Sequence, residues 1–223
     1  MEVAGGRQLA SKWLKTNTLK INPYLSKHIP NSRLFNEANL RIMISRYGMV
    51  VIKPIRGAGG IGLIKIEKKG KEYKLTHRSS KRSYSSFAGL MSAIKACKLK
   101  RSYMIQRGIN LATIAGRPID YRVKFVKLNG LWTIRAMVGR LAKPGLFVTN
   151  LCRGGTQMSA AQGIRRSLSS RMVAKKKREM RQLTNVATGL LESHYPGIGQ
   201  LGYDYGIDRN GHIWILEVNT RPQ

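Results

Sequence analysis

The chain is short of acidic side chains. Ten Asp and Glu stand against 41 Lys and Arg in 223 residues, a formal net charge of +31. That deficit argues against a strongly basic partner. It predicts long-range attraction to polyanions (nucleic acid, anionic polymer or acidic protein) through the basic surface, with steep salt dependence. No nucleic-acid motif with an aromatic stacking pattern accompanies it. Cysteine is nearly absent. Cys97 and Cys152 stand alone and His28, His77, His194 and His212 are scattered, which excludes a disulfide framework and a zinc spacing. A reducing, cytoplasmic setting is the expectation. No apolar run approaches the ~20 residues a membrane-spanning helix needs, and residues 1–6 lack a signal-peptide apolar region. A hydrophobic content of 42% still fits a folded chain, not a disordered basic tail.

Where acids are scarce, acids placed together need a reason. Residues 201–207 and 212–218 are apolar runs flanking Asp208, Arg209, Asn210 and Gly211. With Asn210-Gly211 as a two-residue type I′ turn, Asp204 lies opposite Glu217 and Gly202 opposite Asn219. A four-residue loop from Asp208 to Gly211 pairs Asp204 with Ile215 instead. Either register puts Asp204, Glu217 and Asn219 on one face, because side chains alternate with period two. Tyr203, Tyr205, Ile207, Trp214, Leu216 and Val218 then form a core face. Neighbouring carboxylates repel unless something neutralises them. Mg²⁺, which takes hard oxygen ligands and is commonly shared with substrate phosphates, would do so. Nearby Arg or Lys would do so too, and the hairpin alone leaves both open.

Elsewhere the pattern is α+β. Residues 1–31 read as a basic arm with a short helix around Trp13 to Leu25. Asn31-Ser32 reads as the start of a helix that runs to Gly48. Strands are expected at 49–53, 63–67, 71–77 and 103–106. A helix covers 85–99, and a hairpin, 120–128 with 132–138, turns at Asn129-Gly130. A long amphipathic helix covers 170–195, with Met180, Leu183, Ala187 and Leu191 in its apolar stripe.

Several segments carry chemistry. Gly57, Gly59, Gly60 and Gly62 make a loop that can lay backbone N–H groups against phosphates. It ends in neither a Walker Lys-Ser/Thr nor a helix, so a flap between two strands is the expectation. Lys53 ends the strand before it, where a cation can meet phosphate oxygens. Asp120 and Arg122 share a face of one strand, as a surface pair or a substrate clamp. Arg153, followed by Gly154-Gly155, can anchor a transferred phosphate.

The order of these segments resembles the ATP-grasp superfamily. The matching residues are Val50 to Pro54 with the glycines after them, Gln106, Arg107, Gly108 and Ile109, the stretch from Gly116 to Arg122, Asn150 to Gly155, and Leu201 to Asp204 with Leu216 to Pro222. Within the superfamily the set looks closest to the endospore coat-associated YheC/YheD-like group, with RimK-type ligases more distant. The resemblance implies two α+β subdomains gripping ATP, at 32–106 and 107–223. Lys53 would contact the α/β-phosphates and the glycine loop would close over them. Gln106, Arg107, Gly108 and Ile109 would form the hinge beside adenine. Asp204, Glu217 and Asn219 would hold Mg²⁺, with Mn²⁺ as a substitute, and Arg153 with Arg122 would act on the transferred phosphoryl group. The implied activity joins an unknown carboxylate to an unknown amine, on a peptide or protein acceptor, through an acyl phosphate. The alternative is a non-catalytic ATP-binding or polyanion-binding coat-associated protein. Larger relatives carry a preceding α/β domain, and this chain ends just after Pro222, so a shortened acceptor site is expected. Gln200 and Gln106 stand where relatives often carry Glu.

Overall fold

The computed structural model describes residues 6–222. The first five residues of the expected arm, on which most of the signal-peptide reading falls, and Gln223 lie outside them. The chain divides into two units. One runs to Ile29 and resumes at Asn110; the other is Pro30–Ile109. The expected basic arm of residues 1–31 thus falls, up to Ile29, within the larger unit. Its helix α1 (Lys12–Lys20) starts at Ser11, whose hydroxyl accepts from Leu14 N–H, and α2 (Pro23–Ser26) starts at Asn22 with proline in its first turn. Leu19, Leu25 and Ile29 are buried in the core of the larger unit, and that burial is what the weak periodicity of the arm concealed.

The smaller unit contains β1 (Ser32–Leu34), α3 (Glu37–Tyr47), β2 (Met49–Pro54), β3 (Ile64–Lys69), β4 (Glu72–His77), β5 (Ser80–Tyr84), α4 (Phe87–Cys97) and β6 (Tyr103–Arg107). Its antiparallel sheet has the order β1-β6-β2-β3-β4-β5. The helix expected from Asn31-Ser32 begins later. Asn36 is the cap, accepting from Asn39 N–H at 2.7 Å, and residues 32–34 pair with β6 as an edge strand. Strand β5 escapes the sequence because it is a charged, exposed edge with no apolar alternation. Leu40 and Ile44 of α3 and Leu90 and Ile94 of α4 pack on Ile52, Ile64, Ile66 and Ile105 of the sheet.

The larger unit continues with β7 (Thr113–Ile114), β8 (Arg117–Leu128), β9 (Leu131–Leu141), β10 (Thr156–Ser159), α5 (Ala160–Ser167), α6 (Val173–His194), β11 (Gln200–Ile207) and β12 (Ile213–Asn219). The sheet order is β10-β9-β8-β11-β12, with β7 paired to β8. One face buries Tyr121, Tyr203 and Tyr205 with the expected stripe of α6, Met180, Leu183, Ala187 and Leu191. The tyrosine hydroxyls would be costly to bury alone, by about 1–3 kcal/mol each. Each has a partner: Thr188 for Tyr203 and Thr184 for Tyr205, both at 2.8 Å, and Ser167 for Tyr121 at 3.1 Å.

Both long hairpins contain a β-bulge. In β9, Phe125 pairs with Ile134 but Lys124 pairs with Ala136, so Arg135 is the extra residue. In β12, Tyr205 pairs with Ile215 but Asp204 pairs with Glu217, so Leu216 is the extra residue. A one-residue insertion moves everything beyond it to the other face.

Candidate functional site

The terminal hairpin shows how local chemistry places the carboxylates. Its loop is five residues, 208–212, since Ile207 pairs with Ile213. Gly211 has φ +81° and Asn210 does not enter the left-handed region, so the expected type I′ turn is corrected. Asp208 organises the loop instead. Its Oδ1 accepts from Asn210 and His212 N–H, and its Oδ2 from Trp214 Nε1. The odd loop length and the bulge at Leu216 then compensate. Ile213 and Ile215 take the core face, with Val218 beyond the bulge, while Trp214 and Leu216 stay half-buried. This corrects the expected core placement of Trp214 and Leu216. Beyond the bulge Asp204 lies opposite Glu217 and Gly202 opposite Asn219, which sets the three oxygen-bearing side chains on one face.

That face carries a dense charge network. Asp204 also pairs across to Arg122, and Asp120 across to Arg140. Arg122 donates through Nε to Asp204 Oδ1 and through Nη2 to Oδ2, the latter at 3.0 Å. Arg140 donates to Asp120 through Nε at 2.8 Å and Nη2 at 2.5 Å, and its Nη2 lies 2.9 Å from Asp204 Oδ1. Arg140 thus joins two carboxylates, and Asp120, Arg140 and Asp204 are all buried. Burial lifts the Asp120 carboxyl above its usual range, against the pull of Arg140 and of Thr149, which hydrogen-bonds it. Burial works against the Arg140 charge too, but Asp204 and Asp120 outweigh it and hold the guanidinium above its ordinary value. The short bidentate contacts favour the charged forms of both groups.

The N-terminal helix reaches the same cluster, which the sequence reading missed. Lys12 Nζ lies 3.1 Å from Glu217 Oε1. Lys15, 4% exposed, donates through Nζ to Leu9 O at 2.5 Å. Burial pulls the Lys15 amine from 10.5 down to about 8, partly opposed by Glu217 and reinforced by Lys12. This has a consequence for stability. Below pH 8 the lysine is protonated in both the folded and unfolded states. Above it the folded chain loses the proton first, and unfolding takes one up until the unfolded lysine titrates near 10.5. Unfolding free energy should rise across that window by up to about 3 kcal/mol. Urea denaturation between pH 7.5 and 10.5 checks this, and Lys15→Met should flatten the rise. Equal slopes in the two proteins would refute it.

Arg153 sits in a 3-10 turn, Leu151–Arg153, between β9 and β10, closed by Gly154 at φ +81°. A Cβ on Gly155 would lie 2.6 Å from Thr149 O, so this bend admits only glycine. Through Thr149 the segment is tied to buried Asp120.

In the smaller unit Lys53 is 6% exposed rather than solvent-facing. Its Nζ donates to Gln106 Oε1 at 2.8 Å, and Gln106 Nε2 donates to Ser32 Oγ at 3.3 Å. The loop from Gly57 to Gly62 joins β2 to β3, strand to strand, and its four glycines all have positive φ. At Gly62 a Cβ would also meet Tyr103 Oη at 2.7 Å. Arg107 ends β6 and Gly108 follows it, donating its N–H to Met49 O at 2.8 Å. The division between units falls just after Ile109.

Two carboxylates and an amide on one sheet face fit Mg²⁺ in donor type. The Asp204 oxygens are engaged by Arg122 and Arg140 and Glu217 Oε1 by Lys12, so a cation would reach the carboxylates by displacing these groups. Among the described residues no group of three or more His, Cys, Asp or Glu forms a metal cluster on its own.

The chain is 29% identical over 220 residues to the endospore coat-associated protein YheD of Bacillus subtilis (strain 168), covering 95% of this chain and 48% of that protein. It is 28% identical over 227 residues to YheC of the same organism, covering 97% and 61%. The chain thus spans about half to three-fifths of these relatives' lengths. The ADP-complexed N5-carboxyaminoimidazole synthetase from Staphylococcus aureus shares the fold, with a TM-score of 0.61 at 13% identity over 97% of this chain and 46% of that one. A family model described as YheC/D like ATP-grasp matches residues 3–223, and the chain belongs to that family.

Proposed function

We propose that the chain binds Mg·ATP and forms an amide-type bond between a carboxylate and an amine. The observation that carries this reading is the face on which Glu217, Asp204 and Arg122 stand in register, with Asn219 two residues beyond Glu217 and Arg140 reaching Asp204 from beside Asp120. Oxygen ligands for a metal and guanidiniums for phosphate meet there on one rigid sheet. A carboxylate oxygen of the substrate attacks the γ-phosphorus and ADP leaves. The amine nitrogen then attacks the acyl carbon, phosphate leaves, and the nitrogen loses a proton. Mg²⁺ held by Asp204, Glu217 and Asn219 would offset the phosphate charge. Arg153 and Arg122 would bind the transferring phosphoryl oxygens through charge-assisted hydrogen bonds, and Lys53 with the glycine loop would bind the nucleotide phosphates. The names of YheC and YheD support an association with the spore coat. No helix among the described residues is long and apolar enough to cross a membrane.

The test is calorimetry of ATP with and without Mg²⁺, followed by hydroxylamine trapping of acyl phosphate from a mixture of small carboxylic acids and peptides. ATP binding that requires Mg²⁺ and an ATP-dependent hydroxamate are expected. Absence of Mg²⁺-dependent ATP binding overturns the reading. Binding without hydroxamate from any acceptor favours the non-catalytic alternative.

A further inference from the structure

The ligand carboxylates on the larger unit's sheet are already engaged. Both Asp204 oxygens accept from Arg122, and Oδ1 is shared with Arg140 at 2.9 Å. Glu217 Oε1 faces Lys12 at 3.1 Å. The charges nearly cancel: Asp120, Asp204 and Glu217 against Arg122, Arg140 and Lys12, with Lys15 adding positive charge below its titration point. A free divalent cation approaching this face finds no net negative charge. To reach Asp204 it must separate a bidentate guanidinium from a 7% exposed carboxylate, and it supplies nothing for that guanidinium to pair with instead. A polyphosphate bound to the metal changes the balance, because it brings the anionic oxygens the guanidiniums need.

We propose that Arg122 and Arg140 are positioning residues that close Asp204 to a free divalent cation, so that the metal is taken up only with a polyphosphate anion. Lys12 does the same for Glu217. This rests on the Mg·ATP reading, and it adds a binding order: the metal and the nucleotide enter as one species.

The test uses Mn²⁺ as the probe and calorimetry as the readout, with no turnover. Wild-type protein should show no saturable Mn²⁺ binding below millimolar concentration without nucleotide, and should bind Mn²⁺ together with a non-hydrolysable ATP analogue. Arg122→Gln should gain Mn²⁺ binding without nucleotide by at least tenfold, and Arg122→Lys should restore exclusion. A purely structural arginine would give loss of binding or no change, never a gain. Lys12→Gln, which unpairs Glu217 from Lys12 and leaves buried Asp204 with both its arginines, should gain in the same direction and decides the matter if Arg122→Gln does not fold. Wild-type protein that binds Mn²⁺ alone as tightly as these variants overturns the proposal. If wild type fails to bind the nucleotide at all, the functional reading falls, while a gain in Arg122→Gln still upholds the closure.

Discussion

Arg140→Met is expected to lower the unfolding free energy by about 3–5 kcal/mol, the usual cost of removing one partner from a buried ion pair. Arg140 is 6% exposed and is shared between Asp120 and Asp204. Its removal takes from Asp120, 5% exposed, the guanidinium that donates to both of its oxygens. Met fills much of the volume, so packing loss is a minor part of the effect. The deficit should depend on pH in a defined direction. Without Arg140, burial raises the Asp120 carboxyl further above its unfolded value, so the folded variant takes up a proton that the unfolded chain does not hold. That protonated state is favoured as pH falls, and the gap from wild type should narrow as pH drops through the raised carboxyl value toward the ordinary one. Asp120→Asn combined with Arg140→Met should recover part of the loss, since the neutral amide no longer needs a cation. Urea denaturation of the three proteins measures this. A loss under about 1 kcal/mol for Arg140→Met would show that the cluster contributes little to holding the sheet together.

How much of this was legible in the sequence depends on where the chain keeps its period. The long stripe of α6, the strand at Met49–Pro54 and the glycine flap followed from apolar spacing and turn chemistry. So did the hairpin at Asn129-Gly130, where both residues have positive φ. The bulges were not legible. A continuous register from Leu128–Leu131 would have set Asp120 opposite Gly139 and turned Arg140 to the other face; the extra residue Arg135 brings Arg140 into line. The bulge at Leu216 had a milder consequence, because the five-residue loop and the extra residue cancel for Asp204 and Glu217. The three ligand candidates therefore share a face as expected, but by a route the simple registers did not contain, and Trp214 and Leu216 lost the core face on the way. Lys12 and Lys15 were invisible for another reason. Their role depends on docking α1 beside β12, which is a long-range contact that no local pattern encodes.

Lys53→Met is expected to weaken Mg·ATP binding by at least about a hundredfold, near 2.7 kcal/mol, while changing stability by no more than about 1 kcal/mol. The two effects separate because of how Lys53 is held. An ammonium at 6% exposure that donates to a neutral amide is a costly arrangement for the folded chain. Met keeps the length and apolar stem of the side chain and removes that desolvation. Against this, Gln106 Oε1 loses a donor, a cost of about 1–3 kcal/mol that offsets the gain. For the nucleotide there is no such compensation. On the proposed Mg·ATP reading a charge-assisted contact to phosphate is lost, and Gln106, which also donates to Ser32, no longer has a cation to hold. Gln106→Leu should produce a smaller loss of affinity, because the Lys53 charge remains and only its hydrogen bond to Gln106 Oε1 is lost. Calorimetry with Mg·ATP and urea denaturation on the same preparations give both numbers. A Lys53→Met protein that stays folded and binds within threefold of wild type would remove Lys53 from the phosphate site and leave its burial without a functional reason.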